Sequence, residues 1–204
     1  EFKEARYFHD GLAWVRDSTG IYFINKNGEK AFDATFASAS DFCDGIAIVA
    51  MADSCLKVID TKGNTLFRMP DYTATYPLGN NRYVALNNNN KYCVFDKAGK
   101  TILNPDYDGI SQYLDGKYTV VVDGKWGVVD ESGEYIFDLM ECDRLIRLKD
   151  TENMLISKDG KCGIINKKGE YVVNPVYLEI GQPIPGYLSF KTDDAQWGLM
   201  DYNG

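Results

Sequence analysis

A chain with one histidine, five cysteines and thirty carboxylates has few routes to catalysis. A Ser-His-Asp or Cys-His arrangement would have to pass through His9. That residue stands at a turn beside Asp10 and Gly11, the setting of a solvated turn side chain. The cysteines, at 43, 55, 93, 142 and 162, are odd in number and never form a C-x-x-C pair, so neither a disulfide framework nor a zinc site is expected. Without a second histidine, a transition-metal site would need carboxylates and thiolates, which this spacing does not encourage. Some Asp-rich turns resemble pieces of calcium loops, but none follows D-x-[DN]-x-[DN]-G with its later Glu. No glycine-rich phosphate loop opens a helix. The sequence therefore names no catalytic residue, no metal ligand and no cofactor, and leaves the binding residues unknown.

Glycosidases need only two carboxylates at the right separation. Asp41, Asp44, Asp143, Glu179, Asp193 and Asp194 are the candidates, because they lie off the columns of a repeat that runs along the chain. Departures from a repeat are where function is added to a scaffold. Acidic residues in loops also serve solubility. The fourteen tyrosines suit sugar or protein recognition, each a flat apolar face with a hydrogen-bonding tip, and suit cross-strand packing equally.

The repeat is measured by an Asp or Asn followed three residues later by Gly. It occurs as Asn25–Gly28, Asp60–Gly63, Asp96–Gly99, Asp130–Gly133, Asn166–Gly169 and Asp201–Gly204, with glycines 35, 36, 34, 36 and 35 residues apart. An aromatic or apolar residue opens each unit at Phe2, Phe36, Tyr72, Tyr107, Cys142 and Tyr177. Six residues on stand Phe8, Phe42, Leu78, Tyr113, Leu148 and Pro183, a spacing that keeps both on one face of a strand. The fourth unit is the clearest. Tyr118–Val122 and Trp126–Asp130 flank Asp123-Gly124, a pair suited to a tight turn with φ > 0 at both residues. Gly133 suits the left-handed position of a bulged second turn, and Glu134–Phe137 follows as another strand.

Each unit thus predicts four strands of four to seven residues joined by turn chemistry. Leu139–Asp150 comes nearest to helical spacing, but its register makes it a strand. Pro70, Pro105 and Pro175 are expected between units, where a missing N–H costs least. The sixth unit stops at its second turn, which leaves a fourth strand to a continuing chain or another segment.

At Lys125-Trp126-Gly127-Val128-Val129-Asp130 and Gln196-Trp197-Gly198-Leu199-Met200-Asp201 the sequence resembles the WG-repeat family, bacterial β-repeats named for that dipeptide. Gly116–Val120 fits the family's Gly-x-x-x-Val strand, and Pro105-Asp106-Tyr107-Asp108 fits its Pro-x-Tyr-Asp segment. The other units carry Ile21-Tyr22, Leu56-Lys57, Tyr92-Cys93 and Cys162-Gly163 at the dipeptide, the mark of a divergent member. The resemblance implies a repeat scaffold, often in exported or multidomain proteins, with no common activity and no catalytic residues to transfer. Independently of it, a strand Gly lets another backbone or a ring come close, and Trp offers a large apolar face. Trp126 and Trp197 are therefore expected to be structural, and Trp14 to lie in the core.

The expected fold is all-β: one domain of six antiparallel meanders of about 35 residues, at approximately 2–35, 36–71, 72–106, 107–141, 142–176 and 177–204. A propeller-like ring is favoured over an open stack, since a ring leaves only short edges. The expected function is a non-catalytic module that presents loops to a protein, peptide or glycan. The alternative is a glycan hydrolase using acidic loop residues. A net charge of −8 disfavours a nucleic-acid partner. No run of about 18 apolar residues exists to span a membrane. The chain opens at Glu1 without Met, consistent with a cleaved leader or a trimmed start. An extracytoplasmic or envelope location is expected, with the free cysteines pointing to the cytoplasmic alternative.

Overall fold

Turn chemistry cuts the chain into strands at nearly constant intervals, and those strands form six small antiparallel sheets. The computed structural model describes residues 2–51, 55–149, 151–184 and 186–204, the side chains of 182–184 excepted. Glu1, Asp150 and the side chain of Pro183 thus lie outside the described residues. Among those described, every regular element is a strand.

The chain divides into two compact units, Glu1–Pro105 and Asp106–Gly204. In the first, β1 (Glu4–Ala5), β2 (Leu12–Arg16) and β3 (Ile21–Asn25) form sheet one; β4 (Ser38–Ala39), β5 (Ile46–Ala50), β6 (Leu56–Asp60) and β7 (Thr65–Met69) form sheet two. Sheet three is β8 (Tyr72–Gly79), β9 (Arg82–Asn87), β10 (Tyr92–Asp96) and β11 (Thr101–Tyr107). In the second unit, sheet four is β12 (Gly109–Leu114), β13 (Lys117–Val122), β14 (Lys125–Asp130) and β15 (Tyr135–Met140). Sheet five is β16 (Arg144–Arg147), β17 (Met154–Lys158), β18 (Lys161–Ile165) and β19 (Tyr171–Tyr177); sheet six is β20 (Glu179–Ile184), β21 (Tyr187–Lys191) and β22 (Trp197–Asp201). Each sheet is a meander in chain order.

Short sheets become stable by covering both faces with sister sheets. All five residues of β5, Ile46–Ala50, are buried for this reason. Ala47 and Val49 join Phe23, Phe36 and Phe42 in a cluster shared with sheet one, whereas Ile46 and Ile48 join Tyr83, Ala85 and Phe95 in one shared with sheet three. The second unit repeats the device. Leu145 and Ile156 of sheet five pack with Val128 of sheet four, while Leu155 and Ile164 pack with Ile180, Leu188 and Met200 of sheet six.

The turns have the geometry their residues demand. Asp123 and Gly124 take φ of 49° and 74°, and Asp159 and Gly160 take 52° and 72°, the double positive φ of a tight hairpin. At the second turn one side-chain oxygen accepts two backbone N–H groups. Asp60 Oδ1 takes those of Lys62 and Asn64, both at 2.9 Å, and Asn166 Oδ1 takes those of Lys168 and Glu170 at 2.9 and 3.1 Å. The recurrent Asp and Asn residues are therefore turn clasps.

These clasps carry a pH dependence. Hydrogen bonds from Thr19, Asn64 and Ser132 hold the carboxyls of Asp17, Asp60 and Asp130 below their ordinary value. A depressed folded-state pKa contributes stability that is present above the unfolded value and lost as pH falls through the folded one. Asn25 and Asn166 do the same work without a charge, so Asp→Asn keeps the turn and removes the titration. An Asp60→Asn/Asp130→Asn variant is expected to be less stable than the parent at neutral pH. Its deficit should close in urea unfolding as pH falls below the unfolded aspartate value of about 3.9 and through the lower folded one. A deficit independent of pH would reject the linkage.

Four expectations are corrected. Pro105 and Pro175 lie inside β11 and β19 rather than between units. Both strands are outer ones in their sheets, where an N–H can be missing without breaking a ladder. Bulges at Ile110/Gln112 in β12, Tyr72/Ala74 in β8 and Ile180/Pro183 in β20 break the alternation that the six-residue spacing assumed. Strand lengths run from two residues in β1 and β4 to eight in β8. In sheet one a turn closed by Ala34 N–H on the Phe32 carbonyl leaves only isolated bridges, Ile24 to Lys30 and Ile21 to Phe36, in place of a fourth strand.

Candidate functional site

The edge strand of sheet five is β16, whose sequence Arg-Leu-Ile-Arg runs on through Leu148 to Lys149. Leu145 and Leu148 anchor it in the two cores of the second unit. Gln112, beside the β12 bulge, clasps it from sheet four: the amide Oε1 accepts the Arg147 N–H at 3.0 Å and Nε2 donates to the Arg147 carbonyl at 3.3 Å. The buried Thr119 hydroxyl donates to the same Oε1 at 3.4 Å. A side chain thus imitates one rung of a β-ladder between the two sheets.

This arrangement opens a cavity of about 480 Å³ between β12, β16 and β20. Arg144, Arg147, Lys149, Gln112, Ser157 and Glu179 supply its polar lining; Leu114, Ile146, Leu148, Leu155 and Ile180 supply aliphatic walls. The Arg147 side chain, only 10% exposed, donates through Nη1 to the Leu114 carbonyl, and its Nη2 lies 3.8 Å from the Asp115 carboxylate. Burial pulls its pKa below the ordinary arginine value, while Asp115 and Glu152 oppose the shift. A guanidinium so held remains a cation. Arg144 and Lys149 are exposed, and their side chains make no ion pair or hydrogen bond with any described residue.

The six candidate carboxylates are not brought together. Asp143 Oδ2 accepts the Gly160 N–H at 3.1 Å, and Asp108 accepts that of Asp123 at 2.7 Å, so the Asp of the Pro-x-Tyr-Asp segment fastens a hairpin turn. Asp44, at φ 54°, is itself a turn residue. Asp193 pairs with Lys161, Asp194 is exposed, and Glu179 stands at the cleft beside the three cations. Asp41 lines a separate cavity of about 330 Å³ in the first unit, with His9, Cys43 and Tyr83. Five described cavities have one carboxylate each at most: Glu179, Glu152, Asp138, Asp41 and, in the fifth, none.

His9 is half-exposed at its turn, as expected, but its Nε2 also lies 3.9 Å from Asp41 Oδ2, a proximity the sequence did not reveal. Cys43 shares that cavity without being an activated nucleophile. Burial pushes its thiol pKa up, and Asp44 and Asp10 push it further. Burial likewise raises Cys142 to about 11 and raises Cys93. All five cysteines are free thiols.

The dipeptide residues divide by burial. Trp126 packs on the core beside Val128 and faces Met140 of β15, and Trp14 is buried, both as expected. Trp197, expected to be structural, is 57% exposed on β22, with Lys191 Nζ 5.5 Å from its ring centroid. No described strand pairs with the outer side of β22, so nothing covers the ring as β15 covers Trp126.

The cations were missed because basic residues on a short strand read as a solvated face. A signal was nevertheless present. Aligned on the repeat, the positions of Arg144, Arg147 and Lys149 are Glu4, Tyr7 and His9; Ser38, Asp41 and Cys43; Ala74, Pro77 and Gly79; Gly109, Gln112 and Leu114; Glu179, Gln182 and Ile184. No other unit has Lys or Arg at any of the three.

Three segments of the chain, 23–53, 94–126 and 163–193, match the WG containing repeat. Each starts in the third strand of one sheet and reaches into the next sheet, so the sequence repeat is offset from the structural one. No curated protein matches the sequence. Among solved structures, BamB from Moraxella catarrhalis is similar at 13% identity over 98% of this chain and 73% of that one, with a TM-score of 0.55. The computationally designed Ika8 protein is similar at 15% identity, covering 100% and 71%, with a TM-score of 0.51. A eukaryotic initiation factor is similar at 11% identity, covering 99% and 63%, with a TM-score of 0.65. At such identities the likeness concerns the fold alone, a succession of small antiparallel sheets of the propeller-like, all-β class. Reaching between them into all six sheets, the three matched segments support the chain as a divergent WG-repeat family member.

Proposed function

We propose that this chain is a non-catalytic binding module that offers the cleft of its second unit to a protein, peptide or glycan partner. The observation that carries this role is the distribution of charge at the cavities. Two-carboxylate chemistry needs both acids at one substrate, about 5–10 Å apart. Here the candidate acids are spread over turns and separate cavities, while one concave site gathers three cations around aliphatic walls. Such a surface recognises a ligand without a means to cleave it. The thiols of Cys43, Cys93 and Cys142, with pKa values raised by burial, are not activated nucleophiles either.

The test sets binding against turnover. Purified protein should be screened against a peptide library, a glycan array and a panel of glycosidase substrates. Binding without turnover is the expected result. Glycan turnover abolished by Asp41→Asn, Glu179→Gln or another single carboxylate substitution would overturn the proposal in favour of a hydrolase.

A further inference from the structure

We propose that the cleft of the second unit binds an acidic peptide segment, whose carboxylates are held by Arg144, Arg147 and Lys149. This rests on the binding-module reading and narrows its ligand. Three features select the class.

The first is charge. A chain of net charge −8 places at a single concavity two cations that have no ion pair among the described residues and a third, half-committed one. None of the equivalent positions in the other five units carries Lys or Arg, so the scaffold does not require them. Arginine presents a planar fork matched to carboxylate, and hydrogen bonds to charged groups are stronger than neutral ones.

The second feature is the wall. Ile146 and Ile180 are among the aliphatic side chains that line the site, and no aromatic ring lines it. Sugars are commonly held by stacking their C–H faces on aromatic rings, and this cleft offers no such platform. Aliphatic side chains of a peptide would fit between the cations.

The third is the backbone. The peptide groups of Arg147 are already taken by Gln112, so the β16 edge is closed to strand addition at that point. The ligand is therefore held by side chains. Glu179, without a partner among the described residues, is left to accept a peptide N–H. It would also repel an unbroken polyanion.

The test uses the whole chain and a fluorescein-labelled peptide of alternating Asp or Glu and Leu, titrated by fluorescence anisotropy. A peptide with Asn and Gln in place of the acids, and an oligogalacturonate of equal charge, serve as comparators. The acidic peptide should bind, and salt should weaken it. The Arg144→Gln/Lys149→Gln variant, both substitutions being at exposed sites, should bind on the order of tenfold more weakly or worse. Unchanged circular dichroism would show that the variant is folded, and Lys97→Gln/Lys100→Gln in the first unit should leave affinity unchanged. Equal binding of the neutral peptide, or equal loss in the first-unit variant, would overturn the proposal. Preference for oligogalacturonate without turnover would overturn the peptide assignment yet keep the binding module. Cleavage of oligogalacturonate would overturn both.

Discussion

Replacing Phe23 by alanine is expected to destabilise the first unit by about 4 kcal/mol, the cost typical of deleting a fully buried ring from a close-packed core. Phe23 is 0% exposed in β3, and its ring touches three others. Phe42 meets it edge-on with centroids 4.8 Å apart, Phe32 lies at 5.7 Å and Phe36 at 6.1 Å. The four rings come from sheet one, from the connection that follows it and from the start of sheet two. Deleting the central ring therefore removes a contact between sheets as well as buried area. Shrinkage of the site is opposed by the ladders on both sides, which fix the positions of β3 and β5. The measurement is urea unfolding followed by Trp14 fluorescence in a Trp126→Phe/Trp197→Phe background. Trp14 belongs to the same cluster, so its signal reports on this core. Leu66→Ala, at a half-exposed position, is the control. If the two variants shift the midpoint alike, the ring cluster is not what joins the first two sheets.

The features legible in the sequence were those encoded within a few residues. Asp-Gly pairs and Asp-x-x-Gly turns act through local φ values and local hydrogen bonds, so Asp123, Gly124 and Asp60 behave as their neighbours in sequence require. Repetition then turned six weak local signals into a strong statement about sheets and their boundaries. What sequence could not supply were properties set by a neighbouring strand. The β12 bulge, which frees Gln112 to clasp Arg147 across 35 residues, has no local signature. Pro175 read as a boundary because proline alone says only that an N–H is missing; its place in an outer strand depends on which partner is absent. The cleft was hidden for a related reason. Arg144 and Lys149 look like ordinary surface charges until the fold sets β20 opposite them. Comparison of equivalent positions between units was the one signal that could have marked them.

The glycine of the dipeptide provides the second large effect. Gly163→Ala is expected to cost about 2–3 kcal/mol, in the range of overpacked sites, although it adds only one methyl group. A Cβ there would lie 2.6 Å from the Val173 carbonyl oxygen, 2.8 Å from the Pro175 nitrogen and 2.9 Å from the Asn174 carbonyl carbon. All three are backbone atoms of β19. They crowd Gly163 because the register jumps from Cys162–Tyr177 to Ile164–Val173, so the extra residues of β19 arch over the glycine. Gly127 in sheet four has the same role in a looser form. Trp126 pairs with Met140 and Val128 with Phe137, and a Cβ at 127 would approach no closer than 3.1 Å. In sheet two the equivalent residue is Lys57, and there the ladder runs unbroken through Leu56–Met69, Lys57–Arg68 and Val58–Phe67. In sheets four and five the glycine thus accompanies the bulge, and in sheet two a side chain accompanies its absence. At Gly198 the atoms in the way belong to the Phe190 ring, which can rotate aside. Chemical denaturation should therefore rank the alanine variants Gly163 above Gly127, with Gly198 lower still. Gly163→Ala as mild as Gly198→Ala would mean that β19 yields easily, and the dipeptide glycine would then need an explanation other than close backbone approach.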